Sequence, residues 1–249
     1  MKDTKEMFFK KLDFIKRLIA ETTNNDTDGS IGIADKIVLN KYINDPDFPF
    51  IISFPRTGSH WLRMIMELYF ERPSLVRVFY CKDKNDYLTL HTHDMELDVY
   101  KKNVIYLYRN PIPTVFSQMM YEKEDINDNK RVEYWTRFYG RHLTKWLIEE
   151  KISEKKTIIR YENMLKDIES EFSKITQHFG VPFDPIKLKK AAEHVSKHEV
   201  KKKTTHDKKV VNLESDYEHI REIFHKKYSD MIENLIFTMT QQLSVFFNR

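Results

Sequence analysis

Apolar positions fall into a few short continuous runs separated by stripes of helical period. In residues 7–20, Phe8, Leu12, Ile15 and Ile19 recur at helical spacing with lysines opposite, which predicts an amphipathic docking helix. The stretch NNDTDGS at 24–30 is turn chemistry, and a helical pattern over 34–42 stops before NDPDFP. Residues 50–54 (FIISF) form a short apolar run, followed by the polar PRTGS and by WLRMIMELYF, where Leu62, Ile65, Met66 and Tyr69 recur at helical spacing. That order predicts strand, turn and helix. A second strand is expected at 104–108 (VIYLY), closed by RNP and followed by a helix over 114–121. A third, at 157–160 (TIIR), leads into a stripe of Leu165, Ile168, Phe172, Ile175 and Phe179 that Gly180 and Pro182 stop. Tyr134, Phe138 and Trp146 mark a long helix around 130–150, and the tail over 217–247 reads as two more helices. No repeat or low-complexity tract appears. Short buried strands alternating with helices predict an α/β fold: a helix-rich, three-layer α/β/α body on a short central parallel sheet, spanning 46–249, with a helical N-terminal extension over 1–45.

Composition narrows the chemistry. With 249 residues, 41% of them hydrophobic, the chain can bury a core. Its single cysteine, Cys81, allows no intramolecular disulfide and no zinc ribbon. Charges scattered through the first residues give no signal-peptide core, and no apolar run reaches the roughly 18 residues of a membrane span, so a soluble, cytoplasmic protein is expected. Forty-two basic residues nearly balance 38 acidic ones, which argues against a nucleic-acid coat and leaves room for a local site for a small polyanion.

The scarcity of glycine, five in all, draws attention to Gly58 in Pro55-Arg56-Thr57-Gly58-Ser59-His60-Trp61. A turn between a buried strand and a helix start aims backbone N–H groups at one point and adds the field of the helix N-terminus, a setting that suits phosphate. Gly58 permits close approach, Thr57 and Ser59 carry hydroxyls, and Arg56 brings a permanent forked cation. The plainer alternative is an ordinary N-cap with Arg56 in solvent. The loop does not match G-x-x-x-x-G-K-[ST]. Downstream, Arg109-Asn110-Pro111 follows the second strand with Ser117 eight residues beyond Arg109, and Arg160-Tyr161-Glu162-Asn163-Met164-Leu165 follows the third.

These three strand-end elements resemble the sulfotransferases that use 3′-phosphoadenosine 5′-phosphosulfate (PAPS), whose loops read roughly PKSGTTW or PRxGS and RNPxDxxxS; the resemblance spans about residues 48–185. It implies a P-loop NTPase-like sulfotransferase fold. It also implies that Arg56, Thr57, Gly58, Ser59 and His60 hold the 5′-phosphosulfate, that Arg109 and Ser117 hold the 3′-phosphate, and that Trp61 and Tyr161 flank the adenine. Core packing is the competing explanation for Trp61. Two positions depart from the pattern. Arg56 stands where cytosolic members usually carry Lys, so it can stabilise charge on the leaving phosphate but cannot act as an acid. Pro113 replaces the acidic residue of RNPxD and can shift the start of the next helix.

Between the two loops lies Leu90-His91-Thr92-His93-Asp94. Thr92-His93 resembles the family element whose histidine deprotonates the acceptor, which makes His93 the expected base and His91 the fallback. A metal site on H-x-H-D and a pair of plain surface histidines are the alternatives, the first lacking further ligands. The implied reaction is in-line sulfuryl transfer from PAPS to a hydroxyl or amine of a small-molecule, carbohydrate or lipid acceptor, with release of adenosine 3′,5′-bisphosphate (PAP) and no metal. A nucleotide or small-molecule kinase and a non-catalytic nucleotide-binding protein of the same fold are the competing functions. The lysine run over 197–209 is expected to be a solvated loop or, through Lys201, Lys202 and Lys203, a flap over the 3′-phosphate. Residues 24–35 resemble an EF-hand loop, with Asn in place of the first Asp and Asp in place of the final Glu, and read more simply as a helix–helix turn. The stripe from Phe8 to Ile19 could pack on the body, on a second subunit of a homodimer or on a membrane surface.

Overall fold

The computed structural model describes residues 36–204 and 216–247. The helix expected over 7–20 and the turn over 24–35 lie outside the described residues. Four strands, β1 (Phe50–Ser53), β2 (Leu90–Thr92), β3 (Asn103–Tyr108) and β4 (Lys155–Arg160), form one sheet in the order β2-β1-β3-β4, with every pair parallel. Alternation along the strands splits the interior in two. Phe50, Ile52, Val104, Tyr106 and Tyr108 face one core, and Ile51, Ile105, Leu107 and Ile159 face the other.

The first core is closed by α1 (Lys36–Asn44), α3 (Pro111–Glu122), α4 (Asn129–Leu143) and α9 (Tyr217–Met239), through residues such as Leu39, Phe116, Tyr139 and Phe224. The second is closed by α2 (Ser59–Phe70), α6 (Ile168–Phe179) and α7 (Pro185–His194), through Leu62, Ile65, Phe172 and Leu188. The result is the three-layer α/β/α arrangement expected of near-continuous apolar strands. The remaining elements are a π-helical turn (Thr144–Ile148), α5 (Tyr161–Lys166), α8 (Lys197–Lys203), a 3₁₀ turn (Gln241–Leu243) and α10 (Ser244–Phe247).

Several elements differ from the sequence pattern for identifiable reasons. Strand β2 has only three residues, two of them His and Thr, and it exists because β1 offers a free edge at Phe50–Ile52. Helix α3 begins three residues before its apolar pattern. Asn110 caps it by accepting from the Ile112 N–H at 2.9 Å, Pro111 takes the first helical position, and the missing N–H of Pro113 falls among those with no intrahelical partner. The lysine run folds, through residue 203, as helix α8. Ser196 caps it by accepting from the Glu199 N–H at 3.2 Å, and Val200 is buried beneath it. The tail makes one helix of 23 residues and then the short α10.

Past β2 the chain is tied down by a buried ion pair. Asp94 Oδ2 accepts from Lys145 Nζ at 2.8 Å and from Trp146 Nε1 at 2.9 Å, while its Oδ1 accepts from the Val99 N–H at 2.9 Å. The Lys145 ammonium also donates to the Val99 carbonyl at 2.8 Å. Burial pushes the Asp94 carboxyl up and the Lys145 charge opposes it. Removing one partner of such a pair leaves the other charged and dry. Lys145→Met is therefore expected to cost about 3–5 kcal/mol in urea unfolding; a loss under 1 kcal/mol would show that the pair does not hold this segment.

Candidate functional site

Parallel pairing brings the C-terminal ends of β1, β2 and β3 to one edge of the sheet, where Arg56, His93 and Arg109 leave their strands. After β1 the chain turns sharply: Arg56 and Gly58 take φ values of 69° and 96°, and Thr57 Oγ1 donates to the Phe54 carbonyl at 2.8 Å. Thr57 is wholly buried and its hydroxyl proton closes the turn. Gly58, not Ser59, occupies the cap position of α2, and no side chain caps the helix start. Its first N–H groups, which have no carbonyl partners within the helix, stand at this edge with their positive field.

Gly58 is required for a second reason. A Cβ there would lie 2.6 Å from Cδ2 and Cε2 of Tyr161, the first residue of α5. Tyr161 in turn meets Trp61 edge-on, with ring centroids 5.9 Å apart, and lies under the Arg109 guanidinium at 4.6 Å. Trp61 also packs at the border of the second core. The loop, Trp61, Tyr161 and Arg109 thus form one contiguous surface.

Arg56 and Arg109 share one basic corner. Arg56 Nε donates to Ser117 Oγ at 3.1 Å and its guanidinium lies 5.0 Å from the Tyr121 ring centroid, while Arg109 Nη1 donates to the Arg56 carbonyl at 3.2 Å. Arg109 Nε is buried with no hydrogen-bond partner among the described residues, a donor left over for an anion. The Arg109 backbone is held by Tyr139, whose hydroxyl accepts from its N–H at 3.0 Å and donates to its carbonyl at 2.8 Å. Glu162 accepts from the Asn110 N–H at 2.9 Å.

On the other side of β1, His93 Nδ1 lies 2.8 Å from the Ser53 carbonyl. A carbonyl only accepts, so Nδ1 carries the proton and Nε2 keeps its lone pair. Burial pushes the His93 pKa down to about 4, against the Ser53 hydrogen bond and with the help of Arg77, Arg63 and Arg56. The ring is neutral, and its Nε2 is an acceptor. His91 lies edge-on to it at 4.6 Å and its Nε2 is 2.9 Å from Ser53 Oγ. Behind them, buried His142 accepts from the Tyr106 hydroxyl at 2.9 Å through Nδ1 and donates from Nε2 to the His93 carbonyl at 2.9 Å. Burial holds His142 down to about 3, so it stays neutral in this bracing role. His60 has a ring centroid 5.9 Å from that of Phe79, and its Nε2 is buried with no hydrogen-bond partner among the described residues.

The structure therefore brings Arg56, Gly58, Trp61, Arg109, Ser117 and Tyr161 onto one side of the loop and His60, His91 and His93 onto the other. Asp94 of H-x-H-D turns away to Lys145. Lys203 Nζ donates to the Phe79 carbonyl at 3.1 Å and lies over the Tyr80 ring, whereas Lys201 and Lys202 are exposed. Ser53, Tyr139, His142 and Glu162 were not singled out by sequence reasoning. Two of them carried a signal: Ser53 as the one polar residue of an otherwise apolar strand, and Glu162 as a member of the strand-end element over 160–165.

Residues 101–185 match the model of a sulfotransferase family. No curated protein matches the chain. Among solved structures, retinol dehydratase in complex with androsterone and inactive cofactor PAP aligns with a TM-score of 0.52 at 13% identity, covering 77% of this chain and 80% of that one. That likeness establishes a shared fold. Mouse sulfotransferase SULT7A1 complexed with PAP aligns at 21% identity and TM-score 0.44 over 77% and 88% of the two chains. The sulfotransferase domain from the curacin biosynthetic pathway aligns at 16% identity and TM-score 0.44 over 74% and 98%.

The two left-handed glycines separate strain from close contact. Gly180 has φ +66° and nothing within 4 Å of a Cβ, whereas Gly58 has φ +96° and the Tyr161 ring in the way. Gly180→Ala should cost about 1 kcal/mol of unfolding free energy and Gly58→Ala about 2–3 kcal/mol. Equal losses in denaturant titration would show that Tyr161 does not seat on the loop.

Proposed function

We infer, from the sulfotransferase-family match over residues 101–185 and the fold that carries it, that this chain is a PAPS-dependent sulfotransferase. It moves a sulfuryl group to a hydroxyl or amine of a small-molecule, carbohydrate or lipid acceptor. The observation that carries this reading is the pairing across β1 of a glycine loop at a helix start with a neutral histidine whose Nε2 lone pair is free to accept a proton. PAPS would fit the donor set: the α2 N-terminus and Arg56 for the 5′ side, Arg109 with its unpartnered Nε and Ser117 for the 3′-phosphate, and the Trp61–Tyr161 pair for the base. When bound it supplies the sulfuryl group and a phosphate leaving group.

The chain's own residues then have distinct tasks. His93 takes the acceptor proton on Nε2 as the oxygen or nitrogen bonds to sulfur. Ser53, through its carbonyl, fixes the tautomer that makes this possible, and His142 holds the His93 backbone from behind. Arg56 and the helix N-terminus stabilise the negative charge that grows on the departing phosphate, as preorganised dipoles and cations do in phosphoryl transfer. We place the catalytic body at 46–249, with the extension's α1 packed on its first core. Cys81 is a free thiol, which suits a reducing compartment, and we assign the enzyme to the cytoplasm on that ground. A helix long and apolar enough to cross a membrane is absent among the described residues.

PAP is expected to raise the thermal midpoint, whereas ATP with Mg²⁺ is not; the reverse pattern would replace this reading by a kinase. His93→Ala should keep the PAP shift and lose about 10²–10⁴-fold in transfer of label from PAPS, and an unchanged rate would remove His93 as base. The active form of His93 is neutral, so activity is present above its pKa and falls as pH drops through it. With that pKa held down to about 4, kcat/KM should stay level from pH 8 to below 6. An acid limb at 6.5 would show an ordinary, solvated imidazole.

A further inference from the structure

The turn that presents Arg109 is held at every backbone polar group. Tyr139, from α4, accepts from the Arg109 N–H at 3.0 Å and donates to the Arg109 carbonyl at 2.8 Å. Thr114 Oγ1 donates to the Asn110 carbonyl at 2.8 Å, while the Asn110 side chain starts α3 by accepting from the Ile112 N–H. The remaining group, the Asn110 N–H, donates to Glu162 Oε1 at 2.9 Å, and Glu162 is 52 residues away in the chain. The N–H and carbonyl groups of Arg109 and Asn110 thus each have a side-chain partner, and two of the three residues that supply them come from other helices.

The turn itself, R-N-P-I-P-T over 109–114, supplies no carboxylate. Glu162 brings one from the first turn of α5, next to Tyr161, whose ring lies under the Arg109 guanidinium at 4.6 Å and against Gly58. Consecutive residues of α5 therefore hold Arg109 twice, Tyr161 through its ring and Glu162 through the following peptide N–H. The second carboxylate oxygen of Glu162 accepts from Arg160 Nε at 3.3 Å. Its charge is engaged by that arginine and by the turn, and the Arg109 guanidinium keeps a buried Nε with no hydrogen-bond partner among the described residues. A carboxylate paired with Arg109 directly would take the donor that a bound anion needs. One that grips the adjoining peptide fixes where that donor points and leaves it unfilled. Losing this acceptor would leave the Asn110 N–H unpaired and free the Arg109–Asn110 peptide to rotate.

We propose that Glu162 is a positioning residue for the nucleotide's 3′-phosphate: by holding the Asn110 N–H it aims Arg109 Nε, and so sets the preference for a nucleotide that carries a 3′-phosphate over one that lacks it. The proposal rests on the sulfotransferase reading, in which Arg109 and Ser117 meet that phosphate. A carboxylate repels a phosphate, so Glu162 acts through the turn and not by contact. It acts on the Arg109 end of the site and not on the 5′ side, which rests on Arg56 and the α2 N-terminus.

The test compares PAP with 5′-AMP, which differ by the 3′-phosphate alone, in calorimetric binding to the full chain. The unaltered chain should prefer PAP. Glu162→Ala should lose about tenfold or more of that preference with 5′-AMP binding unchanged. Glu162→Gln, which keeps an acceptor oxygen for the Asn110 N–H, should recover most of it, whereas Glu162→Asp, which keeps the charge but withdraws the carboxylate, should not. In an Arg109→Ala background, Glu162→Ala should change the ratio no further. A Glu162→Ala protein that keeps the PAP preference, or that binds PAP and 5′-AMP more weakly by the same factor, would overturn the proposal, as would losses that add to those of Arg109→Ala. If Glu162→Ala does not fold, the Gln and Asp variants decide: equal preferences in the two would overturn it. An unaltered chain that binds PAP no more tightly than 5′-AMP would overturn the sulfotransferase reading and the proposal with it; every other outcome leaves that reading standing.

Discussion

Everything at the site depends on β1 being paired in parallel on both edges. Ile52 is opposite Thr92 on one side and Tyr106 on the other, so the chains leaving β1, β2 and β3 emerge at the same end of the sheet. A parallel sheet places its loops this way because each strand must return by a crossover over the face. Ser53, the last residue of β1, is the hinge of the arrangement. Its carbonyl orients His93, its hydroxyl meets His91, and five residues on, Gly58 caps α2.

The same edge concentrates electrostatic cost. Four histidines, His60, His91, His93 and His142, are held neutral by burial, and three of them also by neighbouring arginines. Two non-glycine residues close to them in the chain, Asp94 beside His93 and Arg56 on the loop that leads to His60, sit at positive φ. Buried polar atoms with no hydrogen-bond partner among the described residues occur here too, on His60 and Arg109. Strain, desolvated cations and unsatisfied donors are what a binding site for an anionic ligand retains and what a purely structural strand end would have removed. The cost is carried by the rest of the body: two apolar cores on the faces of the sheet, and the Asp94–Lys145–Trp146 cluster that secures the chain just beyond His93.

How the basic groups are shared was harder to foresee. The spacing of Arg56 and Arg109 in the chain suggests two separate clamps, but the Arg109 side chain reaches the Arg56 carbonyl and the Arg56 side chain reaches Ser117, because β1 and β3 are neighbours and Ser117 on α3 faces back toward the glycine loop. Tyr139 and Tyr69 are buried. One pins the Arg109 backbone and the other donates to the Pro182 carbonyl and accepts from the Asp184 N–H. His142 carries no sequence signal, and Glu162 stands in the third strand-end element with nothing there to mark its task, since their partners, His93 and Asn110, are about fifty residues away along the chain.

The strands FIIS and NVIYLY, the helix stripes and the glycine turn were legible in the sequence because they depend on local pattern: period, apolar runs and punctuation by Gly and Pro. So were the strand-end residues Arg56, Arg109 and His93, since their motifs stand next to those runs. Only the tertiary structure decided that the three-residue β2 is a strand, which histidine nitrogen keeps its lone pair, and that Tyr161 seats on the glycine loop. Each of these is set by a hydrogen bond or a contact from residues far away in the chain, and a one-dimensional pattern carries no record of which distant group will supply it.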